Sequence, residues 1–535
     1  MVRAVYWHAH ARHCRDRIPI WCSSARQSAA YFKLVDLVTF DGRALNGEYF
    51  TNFGDPPVVG AWGDGRVPRS TYEKSSFVRV PSSVHLRQDV DPDFPERFAP
   101  AKLDSDCMTT INKYDWPIAV PASNSIYFTA MDLVKTTYDF RQSDTTLDQM
   151  RAYLNDPDHK EALKKASGIF WIGSKGEVVE EITIETLFEM CVNGIFSLLP
   201  VLEQLCHKDE LRPIENGALK PPRGFIVQPF HQYVLGIYYF SNFVAKIRGV
   251  RMNLVGFAKE KGGMETLYND LVHESNILGL DDNFVCWDIS KMDGRLPAIL
   301  IQLISLDWDH PRWNYVKNFI SGFVILQDGR VRWRFQGGPS GDFMTTDFNT
   351  LISIILFLAC LLAVNVPSHI AANWPARMYG DDGVGAWCRH FPDFFVTWKN
   401  VVFDVFGLAA TNEYPGGLIS GPLLGAQILS SQFYLFDGFV VPRTVRPNRA
   451  LARLSYYRNR ETRVQYKQTM MQLIVLHWFH APLRHRLYDY WVSCGHSPGE
   501  FAAVGQMAVR IFLNPDIGFM PDYNLDYREE WEESR

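Results

Sequence analysis

The chain has 535 residues, 47% of them hydrophobic and 21% charged, with 54 basic against 59 acidic side chains and a formal net charge of −5. That length exceeds one ordinary core and suggests several subdomains of a soluble globular protein, and the slight acidity counts against a uniformly basic nucleic-acid binder without touching one whose charge is clustered. Nine scattered cysteines without a CxxC pair exclude a disulfide framework and fit a reducing, cytosolic compartment.

In chain order, the first residues show no apolar core followed by a small-residue cleavage site, so no signal peptide is expected. His8, His10, His13 and Cys14 lack a partner pair at zinc-site spacing and read as solvated. Gly54-Asp55-Pro56-Pro57 and the stretch from Gly60 to Gly65 predict loop-rich, extended structure. Thr145 to Lys165 is helical and charged, and Ile182 to Cys206 predicts a longer amphipathic helix. A basic segment from Lys208 to Arg223 leads into a strand at Gly224-Phe225-Ile226-Val227. Phe284 to Trp287 predicts a buried strand ending at Asp288. Gln336 to Gly341 is a Gly/Pro/Ser loop. Leu351 to Val366 is the most apolar run, shorter than the roughly 20 residues of a membrane span, so a buried helix and no transmembrane segment are expected. Tyr379-Gly380-Asp381-Asp382 lies between apolar residues, as a hairpin with acids at its turn. From Arg449 onward helical patterns dominate, broken at Pro515 and Pro521.

Asp288 and Asp381-Asp382 are distant in sequence but share one character, an acid closing an apolar strand. Short carboxylates on rigid strands suit Mg²⁺, which prefers oxygen ligands and keeps several waters. Taken alone, Asp381-Asp382 fits a solvated turn as well as a site, and Asp293 fits a helix cap as well as a second acid turned back to the same cavity. Thr345 and Asn349 are four apart and share a helix face. With Asp293 they suit a ribose 2′-hydroxyl, although a loop with a back-bonded threonine explains the same residues.

The order of these segments resembles the viral RNA-dependent RNA polymerases. Asp288-Ile289-Ser290-Lys291-Met292-Asp293 is similar to motif A, Ser340-Gly341 through Thr345 to Asn349 to motif B, and Tyr379-Gly380-Asp381-Asp382 to motif C. Lys208-Asp209-Glu210-Leu211-Arg212 with Lys220 and Arg223 looks like motif F of picornavirus-like enzymes, and Asp288, Asp293, Gly294 and Pro297 look astrovirus-like. Leu429 to Phe433, with Asp437-Gly438 and Pro442, is a looser likeness to motif E. Gly407 to Glu413 stands at motif D but lacks its usual lysine, and Pro117 to Asn124 is a weak candidate for motif G.

The resemblance implies an α+β right-hand fold with a ferredoxin-like antiparallel palm sheet, closed by N-terminal fingertips. Its divisions would be fingers 1–270, palm 271–301, a fingers insertion 302–335, palm 336–444 and thumb 445–535. It implies template-directed RNA synthesis in which Asp288, Asp381 and Asp382 hold two Mg²⁺ ions, or Mn²⁺ in their place. Asp293, Ser340, Gly341, Thr345 and Asn349 would bind the ribose. Lys208, Arg212, Lys220 and Arg223 would bind the triphosphate. Ser431, Arg443, Arg446, Arg449 and Arg453 would hold RNA, with Arg458 and Arg460 nearby. Expected partners are RNA template and product duplex, nucleoside triphosphates, and viral replication or capsid proteins, in host cytoplasm or inside the virion. The rivals are a reverse transcriptase, disfavoured by Asp293 where such enzymes place a bulky aromatic, and an inactive RNA-binding scaffold, disfavoured by the three intact aspartates.

Overall fold

The computed structural model describes residues 58–61, 77–80, 86–102, 105–114, 125–138, 140–168, 171, 173–199, 201–326, 330–334, 336–414, 417–458 and 461–513. The histidine–cysteine group at 8–14, the run at 54–57, the 117–124 segment, Arg460, Pro515 and Pro521 lie outside the described residues.

Strand Phe284–Ile289 alternates between two apolar environments, as a strand covered on both faces must. Val285, Trp287 and Ile289 face the largest core, built on helix Thr345–Ala363 and helix Phe230–Arg248. Phe284 and Cys286 face a second core with Val384, Ala386, Phe433 and Val440. Asp288 follows them on that second face, where the apolar cover ends. The sheet is antiparallel throughout, in the order Ala376–Tyr379, Asp382–Ala386, Phe284–Ile289, Ala410–Asn412. With the intervening helices it reads β-α-β-β-α-β in the spatial order 2-3-1-4.

Helix Thr345–Ala363 is, among the described residues, the one helix long and apolar enough to cross a membrane, and it is the buried spine of the core. Trp287 stacks on its Phe357 at 5.2 Å between ring centroids. The partner strand meets that indole with glycine: a Cβ on Gly383 would lie 2.3 Å from the Trp287 ring.

A five-stranded sheet lies beside this unit in the order Val58–Ala61, Arg330–Arg334, Gly322–Ile325, Leu202–His207, Gly224–Val227. The long helix expected over Ile182 to Cys206 is instead two short helices, Ile184–Val192 and Ile195–Leu198, followed by strand Leu202–His207. Gly194, in the left-handed conformation at φ +70°, interrupts the helix, and Pro200 precedes the strand. Strand Arg97–Pro100 pairs with Leu211–Glu215, and Phe77–Arg79 with Tyr456–Arg458. The C-terminal helices Arg463–Leu476, Ala481–Ser493 and Pro498–Phe512 form a separate apolar cluster with Val441 and Leu451. Breaks expected at 270 and 301 fall inside helices Gly263–Ile277 and Ala298–Ile304.

Candidate active site

The hairpin register sets Asp382 directly opposite Asp288. Opposed residues of an antiparallel pair point to the same face with Cβ atoms about 5 Å apart, so the two carboxylates share the open end of the second core. Asp381 occupies the turn, and its carbonyl accepts the Ile289 amide at 2.9 Å. Gly380 makes the turn with φ +61°. Helix Thr345–Ala363 holds it from below: Thr350 Oγ1 accepts the Gly380 amide at 2.8 Å, and the Ser353 hydroxyl donates to the Gly380 carbonyl.

Burial and mutual repulsion raise these acids. Asp382 is pushed up to about 8 by burial, then by Asp381 and Asp288. Asp381 is exposed at the turn yet surrounded by protein, and that crowding with the charge of Asp288 lifts it to about 7. Burial raises Asp288, against the pull of Arg446 and Arg223. Glu413, in the segment lacking the motif D lysine, is pushed up to about 7 by burial and by Asp288.

No basic side chain is ion-paired to Asp288, Asp381 or Asp382 among the described residues. Nor do three acid, His or Cys side chains there converge tightly enough to cage an ion unaided. An incomplete all-oxygen donor set with unneutralised charge fits Mg²⁺, which binds through one or two carboxylates, waters and substrate phosphates.

Beside the acids, Asp293 gathers the next group. The Ser340 hydroxyl donates to Asp293 Oδ2, and Asn349 Nδ2 donates to Oδ1 at 3.0 Å. The Asn349 Oδ1 is buried without a partner. The Gly341 amide donates to the Ile226 carbonyl at 3.2 Å. Thr345 is turned to its own loop: its hydroxyl donates to the Pro339 carbonyl at 2.5 Å, as the back-bonded reading expects.

The basic hairpin lies within electrostatic reach of these acids, Arg223 of Asp381 and Asp293 and Lys208 of Asp293. Arg223 pairs with Glu210 through Nε at 2.7 Å, which raises its pKa, and Arg212 Nη1 lies 3.6 Å from the same carboxylate. Lys220 pairs with Glu215 on the outer end of the hairpin, while Lys208 lies 5.8 Å from the Phe225 ring centroid. Lys113, passed over in the sequence, reaches in from a short helix at Ser105–Tyr114. It donates to the Gly224 carbonyl at 2.9 Å, faces the charges of Asp293 and Asp381, and is lowered by burial. A lone lysine outside any spaced motif offers no sequence signal; Glu210, within the quoted basic motif, did.

The residues expected to hold RNA divide. Arg443 and Arg453 are each paired within the protein, to Asp91 at 2.7 Å and to Glu461 at 2.8 Å. Ser431 accepts from Lys259 at 2.7 Å. Arg446 is exposed and unpaired among the described residues, and its charge reaches Asp288 and Asp382. Arg449 lies 3.9 Å from Glu210. Arg446, Arg449, Lys259, Ser431 and Glu210 line one recess of about 590 Å³.

The sequence matches the family described as "Viral RNA-dependent RNA polymerase" over residues 131–493. It is 25% identical over 170 residues to the non-structural polyprotein 1AB of Human astrovirus-1, covering 29% of this chain and 11% of that protein. It is 27% identical over 144 residues to the corresponding polyprotein of Human astrovirus-5, covering 24% and 10%. The chain thus spans about a tenth of the length of these curated relatives. Among solved structures it resembles a Sicinivirus 3Dpol RNA-dependent RNA polymerase with a TM-score of 0.63 at 14% identity, over 85% of this chain and 97% of the other.

Proposed function

The chain belongs to the viral RNA-dependent RNA polymerases, and from that premise we propose that it extends an RNA 3′-hydroxyl on an RNA template with nucleoside triphosphates. The observation that carries the reading is the register placing Asp382 opposite Asp288, with Asp381 in the adjoining turn and the Asp293–Ser340–Asn349 cluster beside them.

In this reading the four-stranded sheet is the palm, the five-stranded sheet and basic hairpin belong to the fingers, and the C-terminal helices form the thumb. The early strands Phe77–Arg79 and Arg97–Pro100 would link fingers to thumb. Asp288, Asp381 and Asp382 would hold divalent metal ions. When bound, those ions neutralise the triphosphate and acidify the attacking hydroxyl. Lys208, Arg212 and Arg223 flank the path of the triphosphate; Lys220 stands further out, tied to Glu215. Asn349 Oδ1, buried and unpartnered, is an acceptor suited to a ribose 2′-hydroxyl. Ser340 and Asp293 orient it, Gly341 keeps the loop close to the neighbouring strand, and Thr345 fixes the loop's turn. Arg446 and Arg449 would meet the phosphates of the growing strand. The viral polyprotein relatives support a setting in host cytoplasm among viral replication proteins.

The test is extension of a labelled RNA primer on an RNA template with Mg²⁺ or Mn²⁺, comparing ribonucleotides with deoxyribonucleotides. Ribonucleotides should be strongly preferred, and Asp381→Asn should lower extension about 1000-fold, the scale of losing several kcal/mol of charge stabilisation in the transition state. Equal activity of the Asp381→Asn protein would defeat the assignment.

A further inference from the structure

The loop from Gln336 to Gly341 brings Ser340 to Asp293, yet it has no regular structure and contains three glycines. Its anchorage comes from a buried ion pair that no sequence motif marks. Arg334 ends strand Arg330–Arg334 and Glu203 lies in strand Leu202–His207; their side chains are 1% and 0% exposed. Arg334 Nε and Nη2 donate to the two Glu203 oxygens at 3.0 and 2.6 Å. Its Nη1 faces three carbonyls, of Ile320 at 2.7 Å, Gln336 at 3.2 Å and Gly337 at 2.9 Å. Gln228 donates to Glu203 at 3.1 Å. Gly322 leaves room for the carboxylate, since a Cβ there would lie 2.8 Å from it.

A buried ion pair adds little net stability over well-packed apolar residues, so stability alone is a weak reason for this one. Two of the carbonyls it meets belong to the loop itself. On the other side, the Gly338 amide donates to the Asp293 carbonyl at 2.7 Å. Gly337 has φ +77°, and a Cβ on it would stand 2.5 Å from that same carbonyl. The loop is therefore pinned between a guanidinium and the backbone of the residue its serine must reach. A planar fork is suited to this geometry, whereas a lysine would present one point charge to it.

We propose that Arg334, aligned by Glu203, is a positioning residue that sets the preference for ribose over deoxyribose. It does so by holding the Gln336–Gly338 backbone where Ser340 and Asn349 meet Asp293. The inference rests on the polymerase reading above and assigns its sugar selectivity partly to two side chains buried away from the recess.

The test compares the unaltered chain with Arg334→Lys and Glu203→Gln in single-nucleotide extension of an RNA primer on an RNA template, alongside thermal melting. For a variant that melts cooperatively, KM for the ribonucleotide should rise about tenfold and the ribo-over-deoxy preference should fall about tenfold, with kcat on saturating ribonucleotide changed less than about threefold. A folded variant with KM and sugar preference intact overturns the proposal. So does a loss of kcat with sugar preference unchanged, which marks general damage. Failure of both variants to fold overturns it too, because the pair would then serve the fold and not the loop. An unaltered chain that extends no primer removes the polymerase reading and this inference with it, a result separable from the others.

Discussion

Asp342 lies two residues beyond Ser340 with its carboxyl sealed in protein. Tyr315 donates its hydroxyl to Oδ1 at 2.5 Å and the Met344 amide donates at 2.7 Å, while Oδ2 has no partner. Burial pushes this acid up to about 7, and burial lowers Lys175, whose ammonium lies 3.6 Å from the Tyr233 ring centroid, to about 8. The folded chain holds the Asp342 proton more tightly than the unfolded chain, so the stabilisation it brings is complete below the ordinary carboxylate value of 3.8 and gone above about 7. Asp342→Asn should therefore gain on the unaltered protein as pH rises from 4 to 8, by roughly 1–4 °C in melting temperature, since in a chain of this length about 1 kcal/mol moves the midpoint by about 1 °C. Melting curves across that range check it; a constant difference would contradict it. Asn349→Ala removes the unpartnered acceptor and should cut ribose preference about 10- to 100-fold in competition between ribo- and deoxyribonucleotides. The residues behind these effects were unequally legible. Asp293, Ser340 and Asn349 sit in short spaced motifs, and the structure joins them by hydrogen bonds. Arg334 and Glu203 are 131 positions apart and have no spacing to betray them.

At the scale of elements, the hairpin Ala376–Ala386 shows how packing sets chemistry. Its register is pinned from three sides: by the central strand, by Thr350 and Ser353 beneath the turn, and by Trp287 against Gly383. A slip of one residue would turn Asp382 from the second core's face to the first. Gly383→Ala should cost about 1–3 kcal/mol through overpacking against Trp287, and should depress extension more than a surface substitution of equal destabilisation. Urea unfolding with primer extension on the same protein separates the two effects. This hairpin and the buried spine helix were readable because each is a continuous apolar pattern with a clear stop. The stretch from Ile182 to Cys206 was not, since its apolar spacing suits a helix through residues that sheet pairing with Gly224–Val227 and Gly322–Ile325 claims for a strand.

The molecule as a whole is tied together by residues that no local pattern joins. Asp91 is 5% exposed and receives Arg443 at 2.7 Å, with His480 Nε2 at 3.0 Å. Asn448 accepts the Val90 amide at 3.3 Å and donates to the Phe94 carbonyl at 3.1 Å. Phe98 packs with Leu211 and Ala452, joining the early strand to the basic hairpin and the helix Pro447–Ser455. Asp91→Ala strands the Arg443 charge and should cost about 3 kcal/mol, measured by urea unfolding; a change within experimental scatter would show that the knot bears no weight. These contacts also impose a timetable. Asp91 and Arg443 are 352 positions apart, so on the ribosome the earlier partner emerges long before the later one exists. Until translation has passed Arg443 and His480, the segment around Asp91 is without its seat, and the tie between these distant segments waits on chain made 352 or more residues after it.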